Sequence, residues 1–235
     1  MTQKRRYPPI HPWLYNTLKA ILRALAKMLV RTDIRGMEYI PPRGGVIFVT
    51  NHLHYFDSPL IFIAIPRTIY VLAAEKYEHH LLFGPLLRIA GAIFINRGEP
   101  DRRALRQALA VLEDGYALGV AAEGTRSRTG GLGPGKTGAA YLATRAGVPL
   151  VPTVVWGTEK VISGWLRLKR PEVYLRFGPP IHLPAGRARS EELERYTEEI
   201  MTTLASMLPE EYRGVYRDHP LLEQKLAEQD KATAG

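Results

Sequence analysis

The 235-residue chain contains no cysteine. That excludes disulfides, thiolate metal sites and a cysteine nucleophile, and it leaves the redox compartment open. No uninterrupted apolar stretch reaches about 18 residues, so no membrane-spanning helix is expected. A signal peptide is not expected either, because Lys4-Arg5-Arg6 runs into proline-rich sequence instead of an apolar core. The expected location is the cytoplasm or the cytoplasmic face of the cell membrane, held peripherally. Internal repeats are lacking, and so is any metal-ligand cluster: His79-His80 have no matching ligands nearby and His182 stands alone. Acidic residues are the scarcer charge, 23 against 32 Lys and Arg, for a net charge of +9. The expected partners are therefore polyanions: anionic lipid, phosphorylated metabolites, acyl carriers or nucleic acid. Nucleic acid rests on charge alone, because no recognisable module accompanies it.

What is present is enough chain for one core burying roughly 70–75% of the unfolded surface. Short apolar runs alternate with helical patterns, which predicts an α/β fold with a mixed, largely parallel central sheet flanked by helices and preceded by an N-terminal amphipathic helix. That helix spans Trp13 to Val30, with Leu14, Leu18, Ile21, Leu25 and Met28 on one stripe and Tyr15, Leu22 and Leu29 widening it. Lys19, Arg23, Lys27 and Arg31 form a basic row on the same cylinder. This suits either a membrane interface or a helix packed on its own domain. Residues 1–35 are thus expected as a basic interfacial segment, 36–208 as the main domain, and 209–235 as a polar tail with a frayed end. Leu81 to Ala90 is unusually apolar for a connector and fits core, membrane-facing surface or the wall of a cavity. Val173 to Gly178 reads as a strand at an edge, and Ile34 to Tyr39 as another short one.

Polar residues with chemical potential recur just beyond predicted strands. Val46-Ile47-Phe48-Val49-Thr50 ends in Asn51-His52, and Asp57-Ser58-Pro59 then reads as a helix start with Asp57 as its cap. A carboxylate bonded to one imidazole nitrogen fixes the tautomer and leaves the other free to take a proton. The plainer reading is a capping aspartate beside a loop histidine. Gly91 to Arg97 is a second strand, ending in a cation. Leu118 to Ala122 runs directly into Glu123-Gly124-Thr125-Arg126, where glycine permits close backbone approach, the threonine hydroxyl bonds oxyanions and arginine offers paired donors to phosphate. Open α/β sheets place ligands at such strand ends.

Gly130 to Thr137 matches the nucleotide phosphate loop G-x-x-x-x-G-K-[ST] letter for letter. Its context is wrong. A strand should lead directly into it, whereas Arg126-Ser127-Arg128-Thr129 does. After Thr137 the only aspartates are Asp218 and Asp230, in the polar tail, so the magnesium-holding strand end is missing.

Taken in order, the blocks Asn51-His52 with Asp57, Gly91-x-x-Phe94-Ile95-x-Arg97, Glu123-Gly124-Thr125-Arg126 and Val151-Pro152 resemble those of the glycerolipid acyltransferases, specifically the 1-acylglycerol-3-phosphate acyltransferases. The resemblance implies transfer of a fatty acyl group from acyl-CoA or acyl carrier protein to the free hydroxyl of lysophosphatidic acid at an anionic membrane surface, without a further cofactor or metal. It implies His52 as general base and Asp57 as its orienter. It further implies Asn51, Arg97, Glu123, Gly124, Thr125 and Arg126 at the phosphorylated acceptor, and Val151 and Pro152 on the acyl or carrier side. Glu123 is expected to orient Arg97 or Arg126, or to bond an acceptor hydroxyl. His54 is a rival base. One departure is Gly135 before Lys136, where the family pattern leads one to expect a bulky residue, and it is expected to loosen the loop wall. Two alternatives remain: another acceptor, such as glycerol 3-phosphate or a lysophospholipid, and a non-enzymatic lipid-surface module.

Overall fold

The structure is a computed structural model and describes residues 6–96 and 101–234, with side chains as far as 228. Seven strands form one sheet: β1 (Arg31–Arg35), β2 (Val46–Thr50), β3 (Ile69–Ala74), β4 (Ala92–Ile95), β5 (Ala117–Ala121), β6 (Leu150–Trp156) and β7 (Glu172–Phe177). Their order is β1-β7-β6-β2-β5-β3-β4, and all neighbouring pairs are parallel except β6 with β7. The mixed, largely parallel sheet read from the sequence is therefore the one observed. From β2 the chain moves outward to β3 and β4, returns to β5, and then crosses to β6 on the other side of β2. The order reverses at β2, which opens a crevice beyond its C-terminal end.

Val46, Ile47, Phe48 and Val49 are all fully buried, as a strand covered on both faces requires. Alternation divides them between two layers. Val46 and Phe48 pack with α1 (Pro12–Leu29), α2 (Asp57–Ala64) and α6 (Val161–Leu166), and α3 (Phe83–Ile89) lies against α1. Ile47 and Val49 pack with α4 (Arg102–Glu113), α5 (Gly138–Ala146), α7 (Ser190–Met207) and α8 (Pro220–Ala234).

Four expectations change. The first strand is 31–35 instead of 34–39, because Gly36 takes a left-handed backbone and a Cβ there would lie 1.9 Å from the Phe177 carbonyl oxygen. Strand β7 sits inside the sheet and β1 forms the edge. Residues 209–228 fold back instead of fraying: Tyr212 and Leu222 are buried, and Leu132 exchanges backbone bonds with Tyr212 and Val215. In α1 most of the supposed main stripe faces outward, with Ile21, Leu25 and Met28 exposed, while Leu18 of that stripe packs inward with Tyr15, Leu22 and Leu29.

The basic row of α1 divides too. Lys19 is buried, and its ammonium donates to the Ile65 carbonyl at 2.5 Å beneath the Tyr15 and Phe62 rings. Arg23 donates to the Ile63 carbonyl at 3.0 Å. Both cations thereby satisfy carbonyls at the C-terminus of α2, where the helix dipole favours positive charge. Lys27 and Arg31 stay exposed.

Candidate active site

Asp57 is the first residue of α2, and the capping position before it is Phe56. Its side chain makes no cap bond, contrary to the sequence expectation, because the loop claims it. Oδ2 accepts the N–H groups of Leu53 and His54, each at 2.6 Å, and lies 3.1 Å from His52 Nδ1. Oδ1 accepts the Thr158 hydroxyl at 2.5 Å. A carboxylate that is 1% exposed and meets four donors is held as an acceptor with a fixed aim. It thereby holds Nδ1 of His52 as a donor, and Nε2 has no protein partner among the described residues. The His54 ring has no bond to Asp57, and its Nδ1 is buried without a partner. Thr158, just beyond β6, is a site residue the sequence reading missed. A lone threonine after a Trp-Gly turn carries no motif.

His52 and Asp57 stand at the polar end of a cavity of about 260 Å³ between α2, α3 and the sheet. Ile61, Phe62, Val71, Leu72, Phe83 and Leu87 line its apolar part. Of the readings left open for residues 81–90, the cavity wall holds for Phe83 and Leu87, while Leu81 and Leu82 project into solvent.

Thr125 and Arg126 close the other side of the polar end. The Arg126 guanidinium lies 3.6 Å from the centre of the Tyr55 ring and 3.5 Å from the Tyr77 hydroxyl. Stacking of this kind holds the planar fork while leaving donors for an anion. Tyr55 and Tyr77 were also missed, since aromatics outside a strand-end block look like ordinary packing. The Lys136 stem passes over Gly124, where a Cβ would meet it at 3.3 Å.

Four predicted site residues are tied into the framework. Asn51 is fully buried and gives both ends of its amide to the Val155 backbone, at 2.8 and 2.9 Å, tying β2 to β6. Glu123 is 3% exposed and accepts the Gly133 N–H at 2.8 Å and the His52 N–H at 3.3 Å, with no bond to Arg126. Burial raises its pKa above the usual carboxylate value, and those two N–H groups pull the other way. Val151 and Pro152 are buried in β6, away from the cavity lining. Arg97 lies outside the described residues.

The phosphate-loop look-alike is closed to nucleotide phosphates. Its Gly133, Gly135 and Lys136 N–H groups donate to Glu123, the Tyr216 hydroxyl and the Ala122 carbonyl. Gly135 tightens the wall instead of loosening it, because a Cβ there would sit 2.5 Å from Met201 of α7.

Comparison with known proteins assigns the class. The family model described as acyltransferase matches residues 31–156, just over half of the sequence, and the chain belongs to that family. Within it, similar relatives share a narrower name, 1-acyl-sn-glycerol-3-phosphate acyltransferase. One from Borreliella burgdorferi is 32% identical, over 74% of this chain and 68% of its own. One from Cocos nucifera is 30% identical over 75% of this chain, which spans 58% of that relative's length. The crystal structure of the 1-acyl-sn-glycerophosphate acyltransferase PlsC from Thermotoga maritima superposes with a TM-score of 0.61 at 28% identity, covering 79% of this chain and 76% of that one.

Proposed function

We propose that the protein moves a fatty acyl group from a thioester, on coenzyme A or acyl carrier protein, to the free hydroxyl of 1-acyl-glycerol 3-phosphate, forming phosphatidic acid. The observation that carries this reading is the His52–Asp57 pair at the polar end of an apolar cavity, with Arg126 at its side. Nε2 of His52 takes the hydroxyl proton as the oxygen attacks the thioester carbonyl. The tetrahedral adduct then collapses, the C–S bond breaks, and the thiolate leaves with that proton. Asp57 stabilises the imidazolium in between, and Thr158 holds Asp57. The balance closes without a covalent acyl-enzyme and without a further cofactor. Thr125, Arg126 and, from the sequence, Arg97 hold the acceptor phosphate, and the apolar part of the cavity takes an acyl chain.

The acceptor is a lipid, so the enzyme works at a surface. The exposed Trp13, Ile21, Leu25 and Met28 of α1, with Lys27 and Arg31 beside them, supply the apolar and cationic contacts of a peripheral protein on an anionic membrane, at its cytoplasmic face. No helix among the described residues is long and apolar enough to cross a membrane.

The test is an acceptor panel of lysophosphatidate, glycerol 3-phosphate and lysophosphatidylcholine, with acyl-CoA and acyl carrier protein as donors, reading released thiol and lipid product. Lysophosphatidate is expected to be the preferred acceptor, with the thiol released in step with phosphatidate. Preference for another acceptor overturns the assignment, and no thiol release with any acceptor overturns the activity.

A further inference from the structure

The turn between α6 and β7 carries an unusual pair of side chains. Leu166 is 83% exposed and Leu168 is 98% exposed, so neither gains anything from the protein's own core. Leu168 also has φ 53, a left-handed backbone conformation that glycine or asparagine adopts at lower cost. The backbone conformation is costly for leucine, and no burial within the chain offsets that cost. Arg167 and Lys169 alternate with the two leucines, and both are exposed.

The turn is built to project. Leu168 and Lys169 donate backbone bonds to Trp165 and Gly164 carbonyls, each at 2.9 Å. Trp165 Nε1 donates to the Leu29 carbonyl at 2.9 Å, and Arg170 donates to the carbonyls of Lys27 and Val30. The turn is therefore fastened to the last turn of α1, next to the exposed Met28. Its other side reaches the active site: the Trp165 ring packs edge-on to Phe56, 5.6 Å between centres, and Phe56 immediately precedes Asp57.

We propose that Leu166 and Leu168 form a second membrane-inserting element, seated in the headgroup region of an anionic bilayer while Arg167 and Lys169 meet lipid phosphates. This rests on the reading of α1 as an interfacial helix. The alternation of apolar and cationic residues selects an anionic lipid surface over a protein partner, because it matches the acyl and phosphate layers of that surface. Two attachment points fix the rotation of the molecule about α1, which one helix lying on a surface leaves free.

Because the chain has no cysteine, Leu168→Cys offers a single labelling position, and its exposure leaves the fold untouched. An environment-sensitive nitrobenzoxadiazole label there is expected to brighten and shift to the blue on adding vesicles of phosphatidylglycerol and phosphatidylcholine in equal parts. Met28→Cys carries the same label on α1, and Glu194→Cys on α7 is the control. The double variant Leu166→Ser and Leu168→Ser is expected to sediment with these vesicles about tenfold more weakly. A responsive label at 28 with a silent one at 168 overturns this proposal and leaves the α1 reading standing. Silence at both overturns the two together. A response at 168 that needs no vesicles and grows with protein concentration overturns it in favour of a second copy of the chain. Unchanged sedimentation of the double variant also overturns it.

Discussion

The two helical layers cover one sheet but meet solvent differently. On the α4, α5, α7 and α8 side the helices turn charged residues outward, among them Arg102, Arg103, Arg106, Glu194, Arg195 and Glu198, and bury Ala104, Ala108, Ile200 and Leu204. On the α1, α2, α3 and α6 side the inward packing is equally tight, yet Trp13, Ile21, Met28, Leu81, Leu82, Leu166 and Leu168 face outward. The cavity with His52 and Asp57 opens on that same side. One layer is thus a finished exterior. The other keeps an apolar exterior, and the difference teaches that the layer of α1, α2, α3 and α6 carries apolar surface that its own core does not cover.

The comparison breaks most sharply at the histidine. His52→Ala should lower kcat by about 10²–10⁴-fold with its fold intact, whereas His54→Ala should leave most of the activity, as steady-state assays will read. Equal losses in both would remove the geometric distinction between the two rings. On the opposite layer, Leu204→Ala should destabilise by about 2–5 kcal/mol in denaturant titration and leave vesicle binding alone, since it opens a void in a closed core. Thr158→Val removes one of four donors from a buried carboxylate. It should cost about 1–3 kcal/mol in kcat, with acceptor KM nearly unchanged. Ile21→Ser with Met28→Ser should weaken vesicle sedimentation while shifting Tm little, the reverse of Leu204→Ala.

A pH-dependent effect concerns Lys19, whose pKa burial lowers to about 8 from an ordinary 10.5. Between these values the unfolded chain holds more of the proton than the folded one. Raising pH from about 8 to 10.5 should therefore stabilise the wild type relative to Lys19→Met, which has nothing to titrate. Parallel stability curves for the two proteins across that window would refute the buried-lysine account.

Much of the site was legible because it sits at strand ends. An apolar run that stops at Asn51-His52 or at Glu123 fixes where the backbone leaves the sheet, and period-two burial does the rest. Roles were less legible than positions. Asn51 and Glu123 look like ligand residues in the sequence, yet each is consumed by backbone groups more than sixty residues away or across a loop: Val155 for the first, His52 and Gly133 for the second. Such bonds form between segments that only the folded sheet brings together. Thr158 was invisible for the same reason, its partner being Asp57 on another element.

By itself the sequence determined the α/β class, the strands that end at the site and the blocks that mark the acyltransferase family, because local periodicity and motif spacing are properties of neighbouring residues. Only the tertiary structure decided which half of the wide apolar face of α1 meets the core. It also turned Lys19 and Arg23 inward to the end of α2, and it put Leu166 and Leu168 in the open. The physical reason is that a helix apolar on two sides carries no local mark of which side is inside. That choice is made by the shape and the unpaired carbonyls of whatever it packs against.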